Sequence, residues 1–124
     1  MAFDLSRLDT AQLVPLTPFS SDGARILPDV LGSFSRWLYD AGVRVFIPGA
    51  GTGEFHSLSA EEVVTCVTAV RSAVPSDAVI IAPIGLGVSH AISIGMKVIE
   101  AGADALLVMS PVHPYLCDSG AVNG

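Results

Sequence analysis

The residues of this sequence best suited to binding chemistry form a glycine-rich loop, Gly49-Ala50-Gly51-Thr52-Gly53. Because glycine has no side chain, its backbone N–H groups can approach a ligand closely, and successive N–H groups in a turn attract anions. The Thr52 hydroxyl adds another donor beside them. We therefore predict an anion site with Gly51 and Thr52 as its binding residues. The residues alone leave open the alternative that these glycines only form a tight turn.

Other polar side chains are weaker candidates for chemistry. Glu54 could act as a general acid or base, but a carboxylate beside a glycine turn more often bonds backbone N–H groups, and His56 is more typical of a site rim. The one lysine of the sequence, Lys97, falls in the middle of a predicted helix. An amine that attacks a carbonyl carbon needs desolvated surroundings. We therefore predict that Lys97 is a solvated surface charge.

Composition and charge exclude several classes of protein. The 124 residues are 51% hydrophobic and carry a formal net charge of −6, with the basic residues scattered along the chain, which argues against nucleic-acid binding. No apolar run approaches the roughly 20 residues of a membrane helix. The first residues include acids where a secretory signal has a basic and then an apolar stretch, so we expect a soluble, cytoplasmic protein without membrane partners.

The cysteines and histidines do not have the spacing of a metal site. Cys66 and Cys117 do not form a CxxC pair, and Cys66 falls on the apolar face of a predicted helix, as a small buried side chain would. His90 stands alone at a helix start, and His113 with Cys117 has no third ligand at a suitable distance along the chain. We therefore expect no metal and no disulfide framework.

Short apolar runs alternate with helical patterns along the whole chain. Runs at 12–16, 43–48, 78–84 and 105–109 predict strands, and the patterns at 27–41, 60–74 and 90–101 predict helices. The second helix is expected to begin at a capping box formed by Ser59 and Glu62. Asp40-Ala41-Gly42-Val43 and Glu100-Ala101-Gly102-Ala103 form a faint internal repeat, each joining a helix end to a strand.

Each predicted helix carries apolar residues at three- and four-residue steps, which defines one face. These residues are Leu27, Val30, Leu31, Phe34, Trp37 and Leu38 in the first helix, Val63, Cys66, Val67 and Val70 in the second, and Ile92, Met96 and Ile99 in the third. We expect the face of the second helix to point inward, toward the core.

The alternation of strands and helices with short loops is typical of an α/β fold with a parallel sheet and right-handed crossovers. One alternative is a doubly wound nucleotide-binding sheet, whose GxGxxG motif opens the helix after the first strand. Here the glycines follow the second predicted strand, and Glu54 replaces the last glycine of that motif. We therefore favour a TIM (β/α)8 barrel.

Such a barrel takes about 250 residues, and this chain provides only its first four βα units, a half barrel. We expect residues 1–124 to be the N-terminal half of a single barrel domain, with the remainder absent. Both strand edges of a half barrel would be uncovered, which is an aggregation hazard. Either the chain is truncated, which we favour, or a second copy completes the barrel as a homo-oligomer.

Three segments, in this order, resemble the dihydrodipicolinate synthase and N-acetylneuraminate lyase family. They are 14–19 (VPLTPF) with Asp22-Gly23, then 49–55 (GAGTGEF) with 57–59 (SLS) and Glu62, and finally 101–105 (AGADA) leading into Ser110-Pro111. The family usually has two threonines in the second segment, where this chain has Gly51 and Thr52. The resulting Gly-Thr-Gly-Glu-Phe is more similar to the 5-dehydro-4-deoxyglucarate dehydratase branch.

The resemblance implies a lyase that forms a Schiff base between a lysine and a 2-keto acid and needs no added cofactor. It implies that Gly51 and Thr52 bind the carboxylate of this small-molecule keto acid. It also implies a catalytic role for Tyr115, which matches a proton-relay tyrosine if a short insertion is allowed. The family's Schiff-base lysine belongs to the sixth strand, so we expect this chain alone to be catalytically incomplete. The alternative is a non-catalytic half barrel that self-associates or binds a small metabolite.

Overall fold

The computed structural model of the chain describes residues 2–110, which form a four-stranded parallel sheet in the order β1-β2-β3-β4. The strands are β1 (Gln12–Leu13), β2 (Val45–Phe46), β3 (Val79–Ile84) and β4 (Ala105–Val108). The helices that connect them are α1 (Pro28–Asp40), α2 (Ala60–Ala73) and α3 (Val88–Glu100). The predicted order of strands and helices is confirmed.

β1 and β2 are shorter than the apolar runs 12–16 and 43–48 that predicted them. The ladder between them joins only two residues of each strand. Pro15 and Pro48 follow within the same runs, and proline has no N–H group to donate to a ladder. Each run therefore leaves the sheet as it approaches its proline and continues as a loop at the carboxyl end of the strand.

All three helices pack on one face of the sheet. The cluster on this face contains Phe46 and Ile80 from the strands, Leu31 from α1, Val63, Val67 and Val70 from α2, and Ile94 and Val98 from α3. A second cluster on the opposite face contains Val45, Ile47, Val79 and Ile81, with Phe3 and Leu8 packed against it. A doubly wound sheet has helices on both faces, so the described part of the chain excludes that alternative.

The side that α1 turns toward the core is not the apolar face seen in its sequence. Leu31, Gly32 and Ser35 are the buried residues of this helix. Three residues of the predicted apolar face are exposed: Val30 (51%), Phe34 (41%) and Trp37 (64%). An ideal Cβ at Gly32 would lie 3.4 Å from the Ala69 carbonyl oxygen, which shows how closely α1 approaches α2. The small residues permit this approach, so the helix turns them inward and leaves its large apolar side uncovered.

α3 likewise buries a side other than the apolar face seen in its sequence. Its buried residues are Ile94, Gly95 and Val98. The three residues of the predicted face are exposed: Ile92 (61%), Met96 (62%) and Ile99 (56%). The helix is therefore apolar on two sides, as expected of a helix that packs on a sheet and also beside another helix.

The prediction for α2 is confirmed. Its predicted inward residues, Val63, Cys66, Val67 and Val70, are all buried. The capping box is present, since the Glu62 N–H donates to the Ser59 hydroxyl over 3.1 Å and the Ser59 N–H donates to the Glu62 carboxylate over 3.0 Å. None of the helices in residues 2–110 combines the length and the apolar character that crossing a membrane requires.

Candidate functional site

Three loops follow the strands at the carboxyl end of the sheet. Because the strands are parallel, the loops after β1, β2 and β3 all emerge at the same edge. Enzymes built on parallel barrels hold their sites at this edge. The predicted binding residues Gly51 and Thr52 lie in the loop after β2, so the topology places them there.

The glycine-rich loop forms one turn of 3-10 helix at Gly51–Gly53. The Glu54 N–H closes the turn by donating to the Gly51 carbonyl oxygen over 2.9 Å. Gly51 and Thr52 are exposed, whereas Gly53 is buried. The structure therefore brings the two predicted binding residues together on the exposed side of a turn whose other side is packed.

The loop after β1 holds this turn in place. Thr17 is 7% exposed, and its hydroxyl donates to the Gly53 carbonyl oxygen over 2.6 Å. An ideal Cβ at Gly53 would lie 3.2 Å from the Pro15 carbonyl oxygen, so a residue with a side chain would not fit without displacement. Sequence reasoning missed Thr17 as part of the site, although its motif Thr17-Pro18 was part of the family resemblance.

The donors on the exposed side of the turn are free to bind a ligand. The Thr52 hydroxyl donates to the Val14 carbonyl oxygen over 3.4 Å, a long hydrogen bond that is given up easily. Among the described residues, the N–H groups of Gly51 and Thr52 have no backbone carbonyl partner. The turn thus offers one hydroxyl and two N–H groups on adjacent residues, donors that suit an anion with two acceptor oxygens, such as a carboxylate.

Glu54 and His56 lie beside this turn. Glu54 is exposed and adopts the left-handed conformation, with φ 67° and ψ 43°, which is uncommon for a residue other than glycine. His56 is exposed, and its ring meets the Phe55 ring edge-on with centroids 5.2 Å apart. Phe55 itself is buried beneath the loop. The structure therefore places both side chains on the exposed rim of the turn.

Cys66 lies beneath the site rather than in it. An ideal Cβ at Gly49 would lie 3.9 Å from the Cys66 Cβ. Burial raises the pKa of the Cys66 thiol to about 11, and a hydrogen bond with the neighbouring Thr17 acts in the opposite direction. The thiol is therefore neutral near pH 7, which fits the predicted role of a small buried side chain.

The remaining candidates do not join the site. His90 is half-buried in the first turn of α3, with Nδ1 3.2 Å from the Gly85 carbonyl oxygen. Lys97 is an exposed residue of α3, as predicted, and its Nζ lies 3.4 Å from Oε1 of Glu61. Tyr115 lies outside the described residues, so its predicted catalytic role stays a prediction.

Comparison with known proteins gives consistent matches. A family model described as the Dihydrodipicolinate synthetase family matches residues 8–120. A probable 5-dehydro-4-deoxyglucarate dehydratase of Streptomyces avermitilis is 36% identical over 106 residues, which are 86% of this chain and 33% of the relative. A 4-hydroxy-tetrahydrodipicolinate synthase of Haloarcula marismortui is 37% identical over 97 residues, 78% of this chain and 31% of the relative.

A solved structure supports the same match. The crystal structure of dihydrodipicolinate synthase from Oceanobacillus iheyensis superposes with a TM-score of 0.77 and 36% identity, over 88% of this chain and 36% of that chain. This chain spans about a third of the length of the curated relatives it matches. The four described strands and their helices are therefore the first half of a (β/α)8 barrel.

Proposed function

The chain belongs to the dihydrodipicolinate synthetase family, and from this premise we propose that it carries the carboxylate-binding part of a lyase that acts on a 2-keto acid. Its relatives are lyases, named as dehydratases and synthases. The observation that carries the proposal is the exposed Gly51-Thr52 turn at the carboxyl end of the strands, with a hydroxyl and two N–H groups available to one anion.

Within the proposal, the Thr52 hydroxyl turns from the Val14 carbonyl oxygen to one carboxylate oxygen of the substrate. The N–H groups of Gly51 and Thr52 bind the same carboxylate. This contact orients the keto acid so that its carbonyl carbon points into the barrel, where an amine can attack it. Tyr115 is proposed to transfer protons in that reaction.

The lysine that forms the imine is not among these residues. In the proposal it is contributed by the part of the barrel that the relatives possess and that these 124 residues do not include. The keto acid and the amine then lose water to form an imine, while the carboxylate stays on the Gly51-Thr52 turn. Because Gly51 lacks a hydroxyl, we propose a keto sugar acid as the substrate, in keeping with the dehydratase relatives.

Replacing Thr52 with alanine tests the carboxylate site on this chain. In a ¹H–¹⁵N titration, pyruvate is expected to shift the amide signals of Gly51, Thr52 and Gly53. The Thr52→Ala variant is expected to bind pyruvate about tenfold more weakly, because a hydrogen bond to a charged group contributes about 1.5 kcal/mol. Thr52→Ser keeps the hydroxyl and is expected to bind like the wild type.

The neutral ester methyl pyruvate is the matched ligand control. It has the shape of pyruvate without the negative charge, so it is expected to leave the loop signals in place. Equal shifts with the ester, or pyruvate shifts confined to residues away from the loop, would contradict the proposal.

Self-association is a second candidate function, favoured by the uncovered apolar flanks of the half barrel. β1 and β4 form the two edges of the described sheet. The α1 flank exposes Phe34 and Trp37, whose rings stack with centroids 6.0 Å apart. The β4 edge exposes Val108 (73%) beside the apolar side of α3. We propose that two copies pair β4 of one with β1 of the other, so that eight parallel strands close around a two-fold axis.

This pairing predicts a compact dimer by light scattering after size-exclusion chromatography. Met96→Lys places a charge on the exposed apolar side of α3 and is expected to give a monomer. Ser93→Lys adds the same charge at an exposed polar position of α3 and is expected to leave the dimer intact. A wild-type monomer, or a broad distribution of aggregates, would contradict the closed dimer.

A further inference from the structure

Thr17 connects two of the loops at the proposed site. It belongs to the loop after β1, is 7% exposed, and donates its hydroxyl proton to the Gly53 carbonyl oxygen over 2.6 Å. Gly53 ends the turn that begins with the proposed ligand-binding residues Gly51 and Thr52. A side chain from one loop thus determines the backbone geometry of another.

The contact fixes one peptide unit at both of its ends. This unit joins Gly53 to Glu54, and Thr17 binds its carbonyl oxygen. Its N–H group, on Glu54, donates to the Gly51 carbonyl oxygen over 2.9 Å. The orientation of a peptide plane sets the dihedral angles on either side, so these two bonds together hold the closing end of the turn.

The conformation of Glu54 shows why this hold is needed. Its φ of 67° lies in the left-handed region, which is unfavourable for a residue with a Cβ. Without a donor on the Gly53 carbonyl oxygen, only the hydrogen bond from the Glu54 N–H holds the peptide, so rotation that relieves the strain opens the turn more readily. The strained backbone persists because the hydrogen bonds to Thr17 and Gly51 hold the peptide that precedes Glu54.

We propose that Thr17 is a positioning residue, which acts through the Gly53–Glu54 peptide to keep Thr52 and the N–H groups of the turn aimed at one carboxylate. This inference rests on the keto-acid site proposed above. Thr17 does not touch the ligand itself, since its side chain is buried behind the turn. Its loss therefore weakens binding without removing any ligand contact.

The test compares two variants of the full chain that differ only in the hydroxyl group. Thr17→Ser keeps the donor, and Thr17→Ala lacks it, while both lose the threonine methyl group. The alanine variant is expected to bind pyruvate about tenfold more weakly than the serine variant, as the loss of one buried hydrogen bond predicts. The Glu54 N–H is expected to exchange with solvent about tenfold faster in the alanine variant only.

A threonine elsewhere provides the matched control. The Thr68 hydroxyl donates to the Val64 carbonyl oxygen over 2.8 Å on α2, away from the loops. Thr68→Ala is expected to leave both pyruvate binding and Glu54 exchange unchanged. Circular dichroism of every variant verifies that the fold is retained. If Thr17→Ser and Thr17→Ala are both less stable than the wild type, the difference in pyruvate binding between them still measures the effect of the hydroxyl group.

The outcomes separate this inference from the proposed function. If Thr52→Ala weakens pyruvate binding while the serine and alanine variants of Thr17 bind equally, the positioning role is overturned and the carboxylate site stands. If the wild-type chain binds no pyruvate, both proposals fail together. Weaker binding and faster Glu54 exchange in Thr17→Ala alone support the positioning role.

Discussion

Replacing Gly102 with alanine is expected to destabilise the chain by about 3 kcal/mol, whereas the same replacement at Gly42 is expected to cost about 1.5 kcal/mol. Both glycines end a helix with positive φ, 105° at Gly102 and 111° at Gly42. An alanine with positive φ is strained at either position. That strain is the part of the effect that the two replacements share.

The two turns also share their hydrogen bonds. The Gly42 N–H donates to the Tyr39 carbonyl oxygen over 2.9 Å, and the Gly102 N–H donates to the Ile99 carbonyl oxygen over 3.0 Å. The next residue in each turn donates to the carbonyl oxygen five residues before it, over 3.0 Å in both cases. The faint sequence repeat therefore corresponds to one turn geometry used twice, which makes Gly42 a close control for Gly102.

The difference between the two positions is Arg71. An alanine Cβ at Gly102 would lie 2.6 Å from the Arg71 Cγ, whereas nothing lies within 4 Å of the equivalent position at Gly42. Arg71 cannot move away freely, because its guanidinium donates to the carbonyl oxygens of Pro75 (2.8 Å) and Ala78 (3.2 Å) and pairs with Asp104 (3.3 Å). Relief of the clash at Gly102 therefore breaks part of this network.

Urea unfolding followed by circular dichroism measures both free energies of unfolding. A double variant with Arg71→Ala removes the clash, so Gly102→Ala is expected to cost no more than Gly42→Ala in that background. Equal losses at Gly102 and Gly42 in the wild-type background would show that Arg71 adapts without cost.

The sequence predicted the order of the elements because each strand and helix carries a local signal, whereas the inward face of a helix depends on its neighbours. α2 lies between α1 and α3, and its predicted face is buried. The apolar patterns of α1 and α3 are broader, since each helix has one side for the sheet and another apolar side. Trp37 and Met96 lie on the second side, and hydrophobic periodicity alone does not separate the two.

The place of the candidate binding residues in the fold could also be predicted from the sequence, whereas their binding role stays a prediction. Gly51 and Thr52 lie in the loop that follows β2, so their position at the edge of the sheet could be inferred from sequence order. The role of Thr17 depends on a contact between loops that follow different strands. In the sequence, Thr17-Pro18 only indicates the end of a strand, and the partner of its hydroxyl becomes evident only once the sheet is assembled.

Lys97 is expected to form no more pyruvate adduct under borohydride reduction than the N-terminal amine of the same chain. Imine formation requires a neutral amine, which enzymes obtain by desolvating a lysine or placing another cation beside it. The Lys97 side chain is 50% exposed, and its charged partner is the Glu61 carboxylate at 3.4 Å. The pKa of Glu61 is lowered, most by a hydrogen bond from its own backbone N–H and next by a hydrogen bond from Lys97. This partner is therefore an anion at neutral pH.

Peptide mapping by mass spectrometry after reduction measures the adduct at each amine, and Lys97→Arg identifies the signal that belongs to Lys97. Acetate in place of pyruvate gives the background, since it has no ketone to form an imine. Preferential labelling of Lys97 would overturn the assignment of this residue as a surface charge and would place the imine chemistry on α3. Labelling at the background level, together with pyruvate shifts in the Gly51-Thr52 loop, would show that carboxylate binding and imine formation depend on different residues. The loop would then bind the carboxylate, and the nucleophile would come from outside these residues.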